Sequence, residues 1–337
     1  MLAMQSTVQF NAQSIATFTK PRLRSAVAQL LNTFIPYVAV WILMVITVQQ
    51  GYPFWITALL MFVGAGFTMR LFIIFHDCCH GSFFESRRAN RILGYITGVL
   101  TFTPFDQWRR THSRHHDTVG DLDRRGIGDV WTLTVDEYLA RTKFRRFVYR
   151  LLRNPLVMLG FGPALLFLII HRFYGKQDKK REHISVIVTD LAIAAIVLIA
   201  TFTIGLRAYL IIQLPVFLIA GGFGIAFFYV QHQFEGVYWA RNNEWEPMKA
   251  AVEGSSYLKL PRVLQWFTGN IGLHHIHHIQ QRIPNYNLQQ CHDATPAFRT
   301  IKPVTLWGSL KCFNLKLWDE KKGMLVSFQS VRFGSSS

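Results

Sequence analysis

The sequence predicts an all-α integral membrane protein: four transmembrane helices in two hairpins, beneath a cytoplasmic helical cap that gathers histidines into a metal site. Three observations lead there. Half of the 337 residues are hydrophobic, 28 of them Phe, and they fall into long apolar runs. The basic residues are unevenly distributed between those runs. Nine of the thirteen histidines recur at spacings that put imidazoles on one face of a helix.

The segment before the first apolar run carries Lys20, Arg22 and Arg24, but no apolar core followed by a small-residue cleavage site. The first membrane segment is therefore expected to stay in the mature protein. Spans are expected over about residues 33–48 and 55–75, joined by an uncharged turn through Gly51 and Pro53. Two more are expected over about residues 184–204 and 208–230, around Gly205 and Arg207. Each approaches the ~20 residues that cross a hydrocarbon core of ~30 Å.

Charge sets the orientation. Three basic residues precede the first span, nineteen lie between His76 and His183, and twelve follow Val230, whereas the two short turns hold only Arg207. The turns are expected outside, with both termini, residues 76–183 and residues 231–337 in the cytoplasm. That asymmetry absorbs most of the formal charge of +17 without nucleic acid, and no zinc-finger spacing or aromatic-interleaved basic helix is visible. Arg70, inside the second span, is expected to snorkel. The four cysteines are too few for a disulfide scaffold and are expected to stay reduced.

Two apolar stretches, 92–105 and 156–170, are short for a span and contain helix breakers: Gly94, Gly98 and Pro104 in one, Gly160, Gly162 and Pro163 in the other. They are expected as interfacial or re-entrant helices. Parity agrees, if the histidines on either side share one site: an even number of crossings must then separate them. The chain reads as a single domain, and its tail from Gly334 to Ser337 reads as a frayed end.

The histidines form H-x-x-x-H (His76, His80), H-x-x-H-H (His112, His115, His116) and a second H-x-x-H-H (His274, His277, His278), with His232 just after the fourth run. Eight or nine nitrogens delivered to one membrane face exceed the four that a tetrahedral zinc uses, which suggests two metals. There is no H-E-x-x-H and no Glu-x-x-His, so neither a zinc-protease site nor a ferritin-like carboxylate site is present. An all-nitrogen di-iron centre fits best. His275 lies between the ligand faces and is expected outside the site; His171, His183 and His292 are isolated.

Three boxes in this order between paired hairpins resemble the membrane fatty-acid desaturase superfamily. The stretches from Phe75 to Phe84, Asn270 to His275, Ala251 to Ser256 and Pro284 to Tyr286 are most similar to bacterial cold-induced Δ5 acyl-lipid desaturases, and the likeness covers nearly the whole chain. The resemblance implies that His76, His80, His112, His115, His116, His232, His274, His277 and His278 ligate two iron ions. It implies a water-mediated iron contact for Asn270. Asp77, Asp117 and Glu235 adjoin ligands and are candidates to orient imidazoles.

The implied function is O2-dependent: two hydrogens leave an acyl chain of a membrane lipid, giving a cis double bond and water. No cytochrome b5 motif is seen, so a separate acidic carrier, ferredoxin or flavodoxin, is expected to bring two electrons to the basic face near Arg109 and Arg110. The implied location is the bacterial cytoplasmic (inner) membrane. Lipid hydroxylases and ketolases share the boxes, and a metal transporter is the non-enzyme alternative, although transporters place ligands near the membrane midplane.

Overall fold

The computed structural model describes residues 15–126 and 128–332. The tail from Gly334 and the chain before Ile15 lie outside the described residues. Among the described residues, four helices are long and apolar enough to cross a membrane: α1 (Leu23–Gln49), α2 (Phe54–His80), and two later ones described below. On α1, Leu31, Ile35, Val38 and Ile42 point outward at helical spacing, an apolar stripe that suits lipid. α2 is the most buried of the four. It runs about one turn and a half past the apolar stretch, and Gly81, in the left-handed conformation at φ 66°, terminates it directly after His80. The first histidine box therefore occupies the last turns of a membrane helix.

α3 (Arg87–Leu100) starts at Ser86, whose hydroxyl accepts from the Ala89 amide, and α4 (Phe105–Thr118) starts after Pro104. Gly94 and Gly98 do not break α3, contrary to the reading of the sequence. Gly94 accepts the ring of Phe105, and Gly98 accepts the carbonyl of Thr103 and the ring of Phe75. They are close-approach points that fold α4 back against α3 and α2.

Further along, α5 (Lys143–Leu152) is followed by a helical segment wound more widely than an α-helix over most of its length, Val157–Arg172, and the two are bent by 64°. Such a bend belongs to a broken span or a re-entrant loop. Gly221 and Gly222 let this segment dock, by leaving room for Pro163 and the Leu159 carbonyl. α6 (Lys180–Thr203) and α7 (Leu206–His232) make the second hairpin around Gly205, at φ 87°. α7 also outlasts its apolar run, so His232 is its last residue.

The remaining chain is a polar cap of short helices, including α8 (His274–Ile279) and α9 (Asn285–Ala294). Two small sheets tie it together. In one, β1 (Leu133–Thr134) pairs in parallel with β4 (Leu317–Asp319), which pairs antiparallel with β5 (Met324–Val326). In the other, β2 (Leu258–Lys259) runs parallel to β3 (Val304–Thr305).

Arg70 does not snorkel. It is only 5% exposed; its guanidinium donates to Thr33 Oγ1 at 3.0 Å, to Asn32 Oδ1 at 3.2 Å and to the Trp266 carbonyl, and it lies 3.9 Å over the Trp266 ring. It pins the segment leading to the third histidine box onto both helices of the first hairpin. The sequence reading failed because all its partners are distant in the chain. The four cysteines are free and buried.

Candidate metal centre

Helix geometry explains how the boxes are used. Residues four apart on a helix are about 40° apart around its axis, while a residue three along lies about 60° to the other side. On α4, His112 and His116 therefore share one direction and His115 another. On α8, His274 and His278 share one direction and His277 another. The structure uses both directions. His76, His80, His112, His116 and His277 form one cluster, and His115, His232, His274 and His278 form a second, with the ligand atoms in each within 4.8 Å of one another. Each H-x-x-H-H box thus gives its outer pair to one cluster and its middle residue to the other. The two clusters adjoin, with the His116 and His278 rings 4.2 Å apart.

Within the clusters the Nε2 atoms face each other. His76–His112, His112–His116 and His116–His277 pairs are 3.0–3.1 Å apart in the first; His115–His232, His232–His274 and His274–His278 pairs are 3.1 Å apart in the second. For His115 and His232 the tautomers are fixed. His115 Nδ1 lies 2.5 Å from Asp129 Oδ1, and His232 Nδ1 lies 3.0 Å from the Gly254 carbonyl oxygen. Both partners only accept, so each Nδ1 carries the proton and each Nε2 presents a lone pair. Two lone pairs 3.1 Å apart in a buried site repel unless a cation lies between them. His80 Nε2, also buried, has no hydrogen-bond partner among the described residues.

These donors fit a metal, and the spacing speaks to coordination. With metal–nitrogen bonds of about 2.1 Å, ligands at right angles sit about 3.0 Å apart and tetrahedral ones about 3.4 Å. The observed 3.0–3.1 Å suits nitrogens that share one metal ion, and one cluster offers five of them. Burial, and after it the neighbouring imidazoles, hold His112, His116, His274, His277 and His278 well below the usual histidine pKa. They are kept neutral, the form that ligates.

The surrounding residues divide. Asp77 accepts from the Asn285 backbone amide at 2.7 Å and its side-chain amide at 2.8 Å, with its other oxygen 3.4 Å from His76 Nδ1. It joins α2 to α9 beneath the first box. Asn270, at φ 60°, donates from Nδ2 to the Asn285 carbonyl, within the same network. Asp117 and Glu235 are exposed, and neither bonds a ligand histidine among the described residues. Asp117 follows His116 on α4 and points about 100° away from it, and Glu235 lies past the end of α7, three residues beyond His232.

The carboxylate that does orient a ligand through a short bond is Asp129, which sequence reasoning missed. It lies in a loop beyond α4, and no local pattern marks it. Trp108, stacked on His112 at 4.2 Å, was missed too, although it sits one helical turn before that ligand. His275 is buried outside both clusters, against Tyr257, His292 and Phe298, and burial pulls its pKa down to about 3. His171 packs on Phe167 and His183 on Tyr174.

The chain is similar to known proteins. The sequence profile of the family described as fatty acid desaturase matches residues 50–305. A fatty acid desaturase of Bacillus subtilis is 44% identical over 95% of this chain and 90% of its own length. A sn-1 oleoyl-lipid 12-desaturase of Synechocystis is 26% identical over 66% of this chain and 63% of its own. An oleoyl-12-hydroxylase of Ricinus communis is 26% identical over 69% of this chain and 62% of its own.

Proposed function

The chain belongs to the membrane fatty acid desaturase family, and from that premise we propose that its nine clustered histidines hold two iron ions and that it places a cis double bond at the Δ5 position of phospholipid acyl chains. It is an oxidoreductase, an acyl-lipid desaturase, and an integral membrane protein. The observation that carries the reading of the site is the pair of adjoining all-imidazole clusters, five and four strong, with lone pairs turned inward. Iron suits nitrogen-rich sites of more than four ligands, whereas structural zinc prefers four.

Bound there, iron supplies the O2-dependent oxidation that an unpolarised C–H bond requires. The chain's own residues do the rest. Asp129 and the Gly254 carbonyl hold the protons of His115 and His232 on Nδ1, which fixes ring orientation and raises ligand basicity. The Asp77–Asn285 bonds set the end of α2 against the cap. Burial of the ligands keeps bulk water from the site.

Topology follows from the same clusters. His80 and His112 share one, so the chain between them returns to the side it left, and α3 does not cross. With the basic residues beside the histidines, this supports a cytoplasmic metal site and cytoplasmic termini in a bacterial inner membrane. Arg109, exposed and unpaired among the described residues, suits an acidic donor such as ferredoxin or flavodoxin. Arg110 is already paired with Asp178 at 2.5 Å and so offers less.

The test is fatty-acid analysis, with double-bond location, of a host without polyunsaturates expressing the wild type or His112→Ala. A new Δ5 monoene with the wild type alone is the expected result. A monoene elsewhere overturns the position. No new product from folded, iron-loaded protein supplied with either donor overturns the reading.

A further inference from the structure

Beside the third histidine box a cavity of about 430 Å3 opens within the cap, between β2 and α9. Its lining includes Lys259, Arg262, Gln265, Gln289 and Asn270, over apolar Leu260. Lys259 and Arg262 are exposed and make no ion pair or hydrogen bond among the described residues. The one acid in the lining, Asp293, accepts from Gln289 at 2.8 Å. The cavity therefore offers two cations unpaired among the described residues, while the amides of Gln265, Gln289 and Asn270 already donate to Gln289, Asp293 and the Asn285 carbonyl.

Its rim is apolar. Val263 is 67% exposed and Trp307 80%, with Leu264, Trp266, Leu306 and Leu310 exposed around them. Pairing of β2 with β3 brings the two groups to one side, because Leu306 and Trp307 follow β3 directly. Phe267 packs on Gly66, and Arg70 holds Trp266, so this rim is fixed to α2 at the depth of its apolar stretch. Aromatic and aliphatic residues around unpaired cations at that depth suit a surface of anionic headgroups. The inner wall, through Asn270, Gly272 and Leu273, immediately precedes the ligand His274.

We propose that this cavity binds the phosphodiester headgroup of the glycerophospholipid whose chain is desaturated, with Lys259 and Arg262 pairing with the phosphate. The site lies next to His274, one of the clustered histidines. A headgroup held there keeps the ester close to the clusters, as a double bond near the carboxyl end requires. The proposal rests on the desaturase reading.

The test compares the purified iron-loaded wild type with Lys259→Gln/Arg262→Gln, and with Lys321→Gln as a surface control. Two readouts are taken: retention of phosphatidylglycerol by native mass spectrometry, and the ratio of kcat/KM for phosphatidylglycerol over diacylglycerol carrying the same chains. Each lost cation should lower retention and the ratio about tenfold, the size of one charge-assisted phosphate contact, while the control leaves both unchanged. If the double variant fails to fold, as judged by iron content and thermal unfolding, Lys259→Gln alone should still show its share.

Unchanged retention and ratio overturn the proposal. So does binding of inorganic phosphate, sensitive to the substitutions, without retention of phosphatidylglycerol, which marks a free-phosphate site. Loss confined to turnover with a protein electron donor, with lipid retention intact, also overturns it, in favour of a protein-docking surface. Wild type that retains phosphatidylglycerol but desaturates neither lipid would leave the site standing and remove the desaturase reading instead.

Discussion

Replacing Asp129 with Ala should weaken one metal and spare the other. The carboxylate is 5% exposed and reaches His115 Nδ1 at 2.5 Å, and its other oxygen has no hydrogen-bond partner among the described residues. Loss of such an acceptor typically lowers metal affinity 10–100-fold, about 1.4–2.7 kcal/mol. His115 belongs to the four-histidine cluster and not to the five-histidine one. The loss should therefore be one-sided. The assay is iron per chain by elemental analysis, across a chelator series, for the wild type, Asp129→Ala and Asp129→Asn. One ion should leave Asp129→Ala at chelator concentrations 10–100-fold below those that strip the wild type, as the affinity range requires, while the second ion is retained. Asp129→Asn keeps an acceptor oxygen without the charge and should fall between. Equal weakening of both ions, or no weakening of either, would refute the assignment of His115 to a separate cluster oriented by Asp129.

Arg70→Met should leave the Trp266 carbonyl and Thr33 without their partner, lowering stability by about 1–3 kcal/mol in thermal unfolding; unchanged stability would mean that the clamp is idle. Gly94→Val places a branched side chain into the Phe105 ring, and overpacking of this kind costs about 1–3 kcal/mol; because α4 must shift, iron content should fall with it. Acid should release the metals. His112, His116, His274, His277 and His278 have pKa values pushed well below 6.5 in the folded chain, while the unfolded chain protonates near 6.5. Their contribution to stability is thus complete above that value and is lost as pH falls toward the folded values. Thermal unfolding and iron retention should both decline from about pH 7 to about pH 5, and a flat profile would contradict this.

The boxes were legible because ligation by helices leaves a local mark: imidazoles three and four residues apart, next to apolar runs. The four long helices were legible for the same reason, since apolar length is a local property. What stayed hidden is what the chain brings together from afar. Asp129 reaches His115 out of a loop, and Arg70 meets Trp266 across most of the sequence. Asp117 and Glu235 were suggested by closeness in sequence, which neither the helical turn at Asp117 nor the chain past α7 at Glu235 converts into contact. Gly94 and Gly98 were read as breakers because composition does not tell a glycine that ends a helix from one that lets another chain come close. The division of each box between two clusters follows from the helical angle alone, and could have been drawn from the spacing.

The most direct test of the central claim follows atoms rather than metals. Cells expressing the chain are fed a fully deuterated saturated fatty acid under heavy-isotope oxygen, and new acyl products are weighed by mass spectrometry. A desaturase yields a product that has lost two deuterium atoms and gained no oxygen, and this is the predicted result. A product that has lost one deuterium and gained one labelled oxygen would contradict the account and class the chain with hydroxylases, such as the Ricinus communis relative.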